Sequence, residues 1–436
     1  MEQKVAENRK LVENDFPRHM LRELETALAS YKIVYIVGPR QVGKTTLVRN
    51  LLNKGKYVSL DNDIMLQSIE FDPDGVMQRF KAEAGTEPVI IDEVQRSPDL
   101  SLAIKQIVDG DKRKGQFLLT GSSNIFTSMK VADSLPGRVV PLKLWPLTVS
   151  ETRRKKPPQI LDWALQKNPS LSQIQNVEVM QREEYIQLIL EGGFPEPRNI
   201  NTVPRQKQYR SYVDSIVDRD LGDIMPLRKP DSFRKLIDQM AMRTAKEVNH
   251  NELSSILGMK WETVQRYLDI MLRLSLVVKA PAWRSKEARR DIKNPKYHFV
   301  DSGMACALRR LDAGMFEPGH VNSAKLGGLL ESFVFNEVLR SLPFQDKNFI
   351  LYHWRSADRR EIDILAEGDG QLVGIEVKSA SSIRMDDVKH LKWFAANNSG
   401  KYPFTGILLY FGEHILSLGD RCYALPVSSL WSSFDL

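Results

Sequence analysis

The stretch that decides the fold of this chain is Gly38-Pro39-Arg40-Gln41-Val42-Gly43-Lys44-Thr45, which is followed by Thr46. An apolar run at residues 33 to 37 precedes it, and residues 45 to 52 have the composition of a helix. The pattern G-x-x-x-x-G-K-[ST] between a strand and a helix is that of a phosphate-binding loop. The sequence therefore predicts a nucleotide site at this strand–helix turn.

The residue types in this loop suit a chain of phosphates. Gly38 and Gly43 let the backbone curl, so that successive N–H groups between residues 38 and 45 point at the ligand. The N-terminus of the following helix adds the positive end of its dipole. We expect Lys44 to reach the β- and γ-phosphates of ATP and Thr45 to ligate Mg²⁺. We expect Thr46 to line the same pocket.

A second apolar run, at residues 89 to 91, ends in Asp92-Glu93. Continuous apolar runs are typical of strands that are buried on both faces of a parallel sheet. Ligands of such sheets bind at the carboxyl ends of the strands. In a nucleoside triphosphatase, Asp92 would hold Mg²⁺ and Glu93 would orient or deprotonate the attacking water. The adjacent acids favour hydrolysis of the nucleotide over its storage.

A third apolar strand, at residues 116 to 120, is followed by Gly121-Ser122-Ser123-Asn124. Ser122, Ser123 and Asn124 are candidates for a contact with the γ-phosphate or the lytic water. Together with the two motifs above, this strand end resembles the AAA-like ATPases, in which the third strand carries a sensor residue. The resemblance implies an AAA-like domain with a parallel sheet.

Arg138 ends the segment Ser134-Leu135-Pro136-Gly137-Arg138. This segment resembles one that carries an arginine in a bacterial and archaeal subgroup of those ATPases. The resemblance implies that Arg138 completes a neighbour's site in trans, as an arginine finger does. Such a role would need a homo-oligomer, for example a ring. The alternative is a surface arginine in a turn.

Length and composition set the broad class of this protein. The chain has 436 residues, a length that predicts about two to four domains. Its net charge of +7 permits a nucleic-acid partner. No apolar run approaches the roughly 20 residues of a membrane span. Residues 1 to 10 lack the apolar core of a secretory signal. Cys306 and Cys422 form neither a disulfide framework nor a metal cluster. We therefore expect a cytoplasmic protein without a membrane partner.

Residues 251 to 300 have the outline of a winged helix. Apolar residues at helical spacing predict a short helix, a turn at Gly258 and a longer helix, which two strands follow. The segment between the strands is basic, with Lys279, Arg284, Lys286, Arg289, Arg290, Lys293 and Lys296. A basic wing favours contacts with the phosphates of DNA, and polar residues of the longer helix, such as Gln265 and Arg266, would face a groove. The alternative is a winged helix that binds protein.

Three carboxylates and a lysine predict a second chemistry in the C-terminal part. Glu331 lies on a predicted helix, Asp363 on a predicted strand, and Glu376 and Lys378 on one face of the next strand. Carboxylates that converge from adjacent strands suit a hard cation. Asp363 and Glu376 would bind Mg²⁺ or Mn²⁺, Lys378 would position or activate water, and Glu331 would anchor the metal shell.

This arrangement resembles the restriction-endonuclease-like PD-(D/E)xK phosphodiesterases, which have an acid on the first helix, Asp on the second strand and Glu-x-Lys on the third. Ile362 departs from the pattern, because proline often precedes the Asp. The resemblance implies a metal-dependent nuclease. One alternative is a domain that binds DNA without cutting it. Another is an α/β domain whose acids are salt-bridged to Arg355, Arg359 and Arg360.

Taken whole, the chain resembles a family of bacterial and archaeal AAA-like ATPases with a winged helix and a C-terminal restriction-endonuclease-like domain. The predicted α/β fold has an AAA-like P-loop domain at 1–150, a linker or helical region at 151–235, a winged helix at 236–312 and a nuclease-like domain at 320–436. Residues 155 to 182, rich in Gln, Asn and Ser, predict a flexible insertion or boundary.

The predicted function is that of a Mg²⁺-dependent ATPase that binds and remodels DNA, including branched or otherwise structured DNA, and carries a metal-dependent nuclease. One alternative is an ATP-switched DNA-binding or regulatory protein whose nuclease-like domain binds DNA but does not cleave it. Another is a signalling ATPase that binds protein partners and no DNA.

Overall fold

The computed structural model describes residues 16 to 51, 55 to 121, 137 to 220, 230 to 284, 294 to 398 and 402 to 436. A parallel sheet with its helices comes first, a helix-rich middle follows, and a mixed sheet forms the C-terminal part. No helix in these stretches is long and apolar enough to cross a membrane.

The first part is built on a five-stranded parallel sheet. Its strands are β1 (Ile33–Val37), β2 (Lys56–Ser59), β3 (Val89–Asp92), β4 (Phe117–Gly121) and β5 (Val139–Lys143). Its helices are α1 (Met20–Ser30), α2 (Lys44–Leu51), α3 (Asp63–Phe71), α4 (Pro73–Ala84) and α5 (Leu100–Gly110). The apolar side chains of β3 and β4 are buried, as expected for central parallel strands that helices cover. The predicted α/β fold with a parallel sheet is confirmed.

Strand β4 lies between β1 and β3, in the sheet order β2-β3-β4-β1-β5. Ile36 of β1 is in register with Thr120 of β4, and Ile91 of β3 is in register with Leu119. Because all these strands are parallel, the loop after β1 and the ends of β3 and β4 meet at one edge of the sheet. This edge contains the phosphate loop and Asp92.

The middle of the chain begins with short helices and a short strand. These are α6 (Val149–Thr152), α7 (Ile160–Leu165), β6 (Ile174–Gln175), α8 (Arg182–Glu191) and α9 (Thr202–Ser215), which a π-helical turn at Ile216–Asp220 extends. A group of helices and strands that we call the helix–sheet unit (residues 230 to 300) follows. It contains α10 (Pro230–Met242), β7 (Lys246–Glu247), α11 (His250–Leu257), α12 (Trp261–Arg273), β8 (Val277–Ala280) and β9 (Lys296–Phe299). Gly258 ends α11 in the left-handed region, with φ of 61°, and the turn leads into α12.

The C-terminal part, which we call the C-terminal unit (residues 326 to 436), is a six-stranded mixed sheet with helices. Helix α13 (Ser302–Leu308) precedes it. Its elements are α14 (Leu326–Ser341), β10 (Ile350–Arg355), β11 (Glu361–Gly368), β12 (Gln371–Lys378), α15 (Lys389–Asn398), β13 (Phe404–Tyr410), β14 (Leu416–Ser417), β15 (Cys422–Pro426) and the separate short strand β16 (Ser433–Phe434). The sheet order is β10-β11-β12-β13-β15-β14, so that the strands that carry Asp363 and Glu376 are neighbours.

Residues 155 to 182 are an ordered part of the C-terminal unit's surroundings, and the prediction of a flexible insertion is wrong. Strand β6 pairs with β16 in an antiparallel arrangement. The Thr405 hydroxyl donates to the Ala164 carbonyl at 2.7 Å, and the Arg421 guanidinium donates to the Gln166 carbonyl at 2.9 Å. The polar composition conceals the buried side chains Ile160, Leu161 and Trp163, which fix the segment.

A short stretch that we call the connecting segment (residues 144 to 151) is bound to the phosphate loop through Arg18. One Arg18 nitrogen donates to the Val42 carbonyl inside the loop at 2.7 Å. The others donate to the Trp145 carbonyl at 2.6 Å and to the Glu151 carboxylate at 3.1 Å. A single guanidinium therefore holds the back of the loop and the connecting segment together.

The same segment is bound to helix α14 of the C-terminal unit. Arg340 donates to the Leu147 carbonyl at 2.8 Å and to the Val300 carbonyl at 2.6 Å. The Glu337 carboxylate accepts the Val149 N–H at 3.0 Å. The Arg340 and Glu337 side chains are almost completely buried, so these contacts link the two sheets through the protein interior.

Gly38 is required where the phosphate loop passes the connecting segment. A Cβ atom at this position would lie 2.1 Å from the Leu144 carbonyl oxygen. That residue cannot retreat easily, because its N–H donates to the Val37 carbonyl at 2.8 Å.

We expect Gly38→Ala to lower the free energy of unfolding by about 1–3 kcal/mol, because the added methyl group overlaps fixed backbone. Gly110→Ala is the control, since a Cβ there meets nothing within 4 Å. Chemical denaturation without nucleotide measures both variants. Equal stability of the two would contradict the packing described for the loop.

Candidate nucleotide site and a buried carboxylate cluster

The phosphate loop connects the end of β1 to the start of α2 and has a curled backbone. Gln41 and Gly43 have positive φ angles of 59° and 96°, and the second value strongly favours glycine. Gly38, Pro39 and Val42 are buried, whereas Gln41 and Thr46 are exposed. The helix that begins at Lys44 directs its free N–H groups at the same space as the loop amides.

Lys44 is buried and bends back over its own loop. Its ammonium donates to the carbonyls of Gly38 at 3.0 Å and of Pro39 at 2.8 Å. The positive charge therefore lies at the mouth of the loop, on the side where phosphate oxygens would replace the carbonyls as acceptors. The phosphate-binding role of Lys44 stays a prediction.

Asp92 is the centre of the site, and three hydroxyl groups donate to it. One carboxylate oxygen accepts from Thr45 and from Tyr57, each at 2.8 Å. The other oxygen accepts from Thr120 at the end of β4. Burial, the hydrogen bond to Asp92 and the charge of Asp92 raise the pKa of Tyr57, so that the phenol stays a donor.

A hydroxyl group and a carboxylate in contact below a phosphate loop are a donor set that fits Mg²⁺. Thr45 and Asp92 would hold the ion, and it would supply positive charge to the triphosphate. The two other donors to Asp92 fix the carboxylate in place.

Glu93 has a left-handed backbone, with φ of 59°. This conformation ends strand β3 and turns the half-buried side chain away from the direction of the strand. Its N–H donates to the Thr120 hydroxyl at 3.3 Å, and its carboxylate accepts from the Gln95 side chain. These hydrogen bonds hold Glu93 beside Asp92.

Sequence reasoning missed the supporting residues Tyr57, Thr120 and Gln95. The sequence could have indicated Thr120, because this polar residue ends the apolar strand that precedes the predicted sensor. Nothing in the local pattern identifies Tyr57, since its contact with Asp92 depends on the pairing of β2 with β3. The predicted sensor Asn124, with Ser122 and Ser123, lies outside the described residues.

Arg138 lies at the amino end of the parallel strands, whereas the phosphate loop of the same chain lies at their carboxyl end. It immediately precedes β5, and its carbonyl accepts the N–H of Ile33 at the start of β1. The length of a five-residue strand, about 16 Å, separates this edge from the loop. The Arg138 side chain pairs with Asp109 of α5 at 3.1 Å. Arg138 therefore cannot reach the nucleotide site of its own chain, and its role in trans stays a prediction.

The structure brings the predicted C-terminal residues together in one buried carboxylate cluster. We use this name for Glu331, Asp363 and Glu376 with the lysines that contact them. Lys378 contacts Glu376 at 3.3 Å. Asp363 accepts the Val377 N–H at 3.0 Å. Burial and the nearby charge of Asp363 raise the pKa of Glu376.

The cluster contains a second lysine, Lys296, which the sequence placed on an exposed basic wing. That prediction is wrong. The side chain of Lys296 is only 6% exposed, and its ammonium lies 2.7 Å from Glu331 and 3.6 Å from Asp363. Burial acts to lower the pKa of Lys296, but the charges of Glu331 and Asp363 raise it above its ordinary value. Burial and the charge of Asp363 raise the pKa of Glu331 to about 8.

Of the other basic residues predicted on the wing, only some are among the described residues. Lys279 and Arg284 are exposed. Lys286, Arg289, Arg290 and Lys293 lie outside the described residues.

Lysine ammonium groups and a main-chain N–H contact several oxygens of the cluster. Glu331 and Asp363 each direct one oxygen at Lys296, and the other Asp363 oxygen accepts a main-chain N–H. One Glu376 oxygen contacts Lys378, and the other has no hydrogen-bond partner among the described residues. Within those residues, no group of three or more His, Cys, Asp or Glu side chains could hold a metal.

We expect Glu93→Gln to keep ATP binding but to lower the turnover number at least about 100-fold, because it removes the base next to the site of attack. Lys44→Ala should lose ATP binding itself. Glu25→Gln, an exposed position on α1, is the control for Glu93→Gln. Binding of a fluorescent ATP analogue and phosphate release measure the two steps separately. Full turnover in either site variant would contradict this assignment.

Comparisons with protein families agree with the geometry of the first part. Residues 30–153 match a family model described as an AAA domain. Residues 182–314 and 326–430 match two further models, each described as a domain of unknown function.

Sequence similarity to other proteins extends over nearly the whole chain. An uncharacterized protein of Mycobacterium tuberculosis is 24% identical over 421 residues, which cover 95% of this chain and 84% of that protein. An uncharacterized protein of Methanocaldococcus jannaschii is 23% identical over 425 residues, with 91% and 89% covered.

Two solved structures illustrate the structural similarity. A Walker-type ATPase of Pyrococcus abyssi has a TM-score of 0.42 at 16% identity, covering 68% of this chain and 96% of that one. The AMPPCP-bound DnaA of Aquifex aeolicus has a TM-score of 0.25 at 15% identity, covering 58% and 86%. On the match to the AAA family and the geometry of the loop with Asp92, residues 30–153 form an AAA-like P-loop ATPase domain.

Proposed function

We propose that this protein is a Mg²⁺-dependent ATPase that binds DNA through the helix–sheet unit and uses ATP hydrolysis to remodel its complex with DNA. The observation that carries the ATPase assignment is the contact between the Thr45 hydroxyl and the Asp92 carboxylate at 2.8 Å, directly after the phosphate loop. Glu93 follows in the chain, where a base for the attacking water is needed.

Each group of the nucleotide site has a distinct task in this proposal. The loop amides and the Lys44 ammonium bind the phosphates and offset their charge. Thr45 and Asp92 hold Mg²⁺, and Tyr57 and Thr120 keep Asp92 in position. Glu93 orients water and accepts its proton, while its hydrogen bond from Gln95 limits the positions of the carboxylate.

The helix–sheet unit supports the DNA-binding part of the proposal. Helices α11 and α12 are joined by a tight glycine turn and are followed by two antiparallel strands, an arrangement that we interpret as a winged helix. Helix α12 buries Val264 and Leu268 and leaves Trp261, Gln265 and Arg266 exposed. The exposed face would enter a DNA groove, and the basic segment between the strands would contact phosphates.

For the C-terminal unit we favour binding of DNA without cleavage. We interpret this unit as restriction-endonuclease-like, because Glu331, Asp363, Glu376 and Lys378 converge as that resemblance implies. The contact of Lys296 with two of the acids favours the non-cleaving alternative, since the ammonium uses the oxygens that a metal-dependent nuclease would need. The nuclease stays the second candidate.

We expect the protein to bind linear or branched DNA in a salt-sensitive way, and DNA to stimulate ATP turnover. Arg266→Glu should weaken binding several-fold, because it reverses a charge on the groove-facing side of α12. Arg22→Glu changes the net charge equally on exposed α1 and serves as the control. Gel shifts at several salt concentrations and ATP turnover with and without DNA measure these effects. Equal binding by both variants would contradict the role of α12, and no DNA binding at all would remove the proposal.

The same DNA substrates test cleavage. We expect no cleavage with Mg²⁺ or Mn²⁺. Cleavage that Asp363→Ala abolishes would instead establish the nuclease.

We further propose that the protein acts as a homo-oligomer, such as a ring, in which Arg138 of one copy reaches the nucleotide of the next. Its position at the far edge of the sheet supports action in trans only. We expect Arg138→Ala to lose at least about 100-fold in turnover. Asp109→Asn, which removes its ion-pair partner on α5, should retain turnover. Mixing Arg138→Ala with Glu93→Gln should restore part of the activity, because some interfaces then hold both intact groups. Full turnover by Arg138→Ala would leave Arg138 as a surface residue.

A further inference from the structure

We propose that Lys296 of the helix–sheet unit is the resident cation of the carboxylate cluster, so that the cluster takes no divalent metal ion and instead fastens the two units together. This deepens the proposal that the C-terminal unit binds DNA without cutting it, and it is independent of the nucleotide site. It also assigns Lys296 a role different from that of the exposed Lys279.

The Lys296 ammonium lies where a metal ion bound to the same carboxylate oxygens would be. Its nitrogen lies 2.7 Å from Oε1 of Glu331 and 3.6 Å from Oδ1 of Asp363. Mg²⁺ binds oxygen ligands at about 2.1 Å, so an ion bound to that Glu331 oxygen would lie within about 5 Å of the ammonium. Two cations this close, away from water, repel each other strongly. The lysine and a metal ion therefore compete for the same oxygens.

The backbone next to Lys296 is anchored to the C-terminal unit. Asn294, two residues earlier, accepts a hydrogen bond from the His353 ring through its carbonyl at 3.0 Å. The extension of the neighbouring strand β8 joins the main chain of β10. There the His353 N–H donates to Pro281 at 3.0 Å, and the Trp283 N–H donates to His353 at 2.7 Å. These contacts hold the backbone that carries Lys296 against the C-terminal unit.

The buried acids of the cluster need a cationic partner. Asp363 and Glu376 are 7% and 2% exposed, and Glu331 is nearly as well buried. Buried carboxylates need partners, and removing one partner costs far more than an exposed ion pair contributes. Lys378 contacts Glu376, which leaves Glu331 and Asp363 to Lys296. In this arrangement Lys296 supplies the charge that a metal ion would otherwise supply.

Other groups around the cluster do not take over this task. Arg355 is turned to Glu247 of β7 at 3.0 Å, and Arg360 pairs with Asp358 and lies over Trp393. Two of the arginines that sequence reasoning considered as partners of the acids, Arg355 and Arg360, therefore contact groups outside the cluster.

Mn²⁺ binding in the absence of nucleotide tests the proposal directly. We expect wild type and Asp363→Asn to bind the same number of Mn²⁺ ions, measured by electron paramagnetic resonance. Lys296→Met, which keeps the volume but removes the charge, should bind one additional ion through the released oxygens. The double variant Lys296→Met/Asp363→Asn should lose it. Lys279→Met, at an exposed position of β8, is the matched control and should bind as many Mn²⁺ ions as wild type. Ions held by the nucleotide site are common to all five proteins and cancel.

Thermal unfolding gives a second readout. Lys296→Met should melt at a lower temperature than Lys279→Met in EDTA, and Mn²⁺ should recover part of the loss. Mn²⁺ should shift the melting temperatures of Asp363→Asn and of wild type by the same amount.

The proposal is overturned if wild type binds a Mn²⁺ ion that Asp363→Asn removes. It is also overturned if folded Lys296→Met gains no ion. Should Lys296→Met fail to fold, the comparison of wild type with Asp363→Asn still decides. Gel shifts and ATP turnover of the same proteins test the proposed function separately from this inference. If wild type does not bind DNA, the proposed function is contradicted, but the Mn²⁺ count still tests the role of Lys296.

Discussion

Two buried guanidinium groups hold both sheets of this protein against one short connecting segment. Arg18 joins the phosphate loop to that segment, and Arg340 joins the segment to helix α14. A buried charge is tolerated only when it is paired and hydrogen-bonded, so each arginine requires its carbonyl and carboxylate acceptors to stay in place. Because the segment also restricts Gly38 through Leu144, the geometry of the phosphate loop depends on contacts that reach the C-terminal unit.

The two groups of acids differ in their partners more than in their residue types. Asp92 accepts hydrogen bonds from three neutral hydroxyl groups. These donors orient the carboxylate without cancelling its charge, so it keeps its attraction for Mg²⁺. Asp363 also stands on a strand of an α/β unit, but the ammonium of Lys296 lies beside it. The same side chain is therefore suited to a metal ion in one sheet and to an internal ion pair in the other.

Local patterns in the sequence identified the phosphate loop and the strand that ends in Asp92, but not the side chains that surround them. The loop glycines, Lys44 and the apolar run that ends in Asp92 lie in the predicted elements, because glycine spacing and continuous apolar strands report backbone geometry directly. Local patterns failed for residues 155 to 182, where a polar composition outweighed a few buried side chains. They failed for Lys296 because a lysine in a basic stretch has no local mark of burial. Its partners come from two other elements.

The amino-acid sequence by itself determined the parallel sheet, the phosphate loop and the pair Asp92-Glu93, since each depends on residues that are neighbours in the chain or repeat with the period of a strand. It also brought Glu331, Asp363, Glu376 and Lys378 to notice as one group. Only the tertiary structure decided what surrounds them. Strand order placed Tyr57 and Thr120 on Asp92, and packing of the helix–sheet unit on α14 placed Lys296 among the acids. Such contacts join residues far apart in the chain. The burial of these residues, which requires charged side chains to be paired, exists only once the chain has folded.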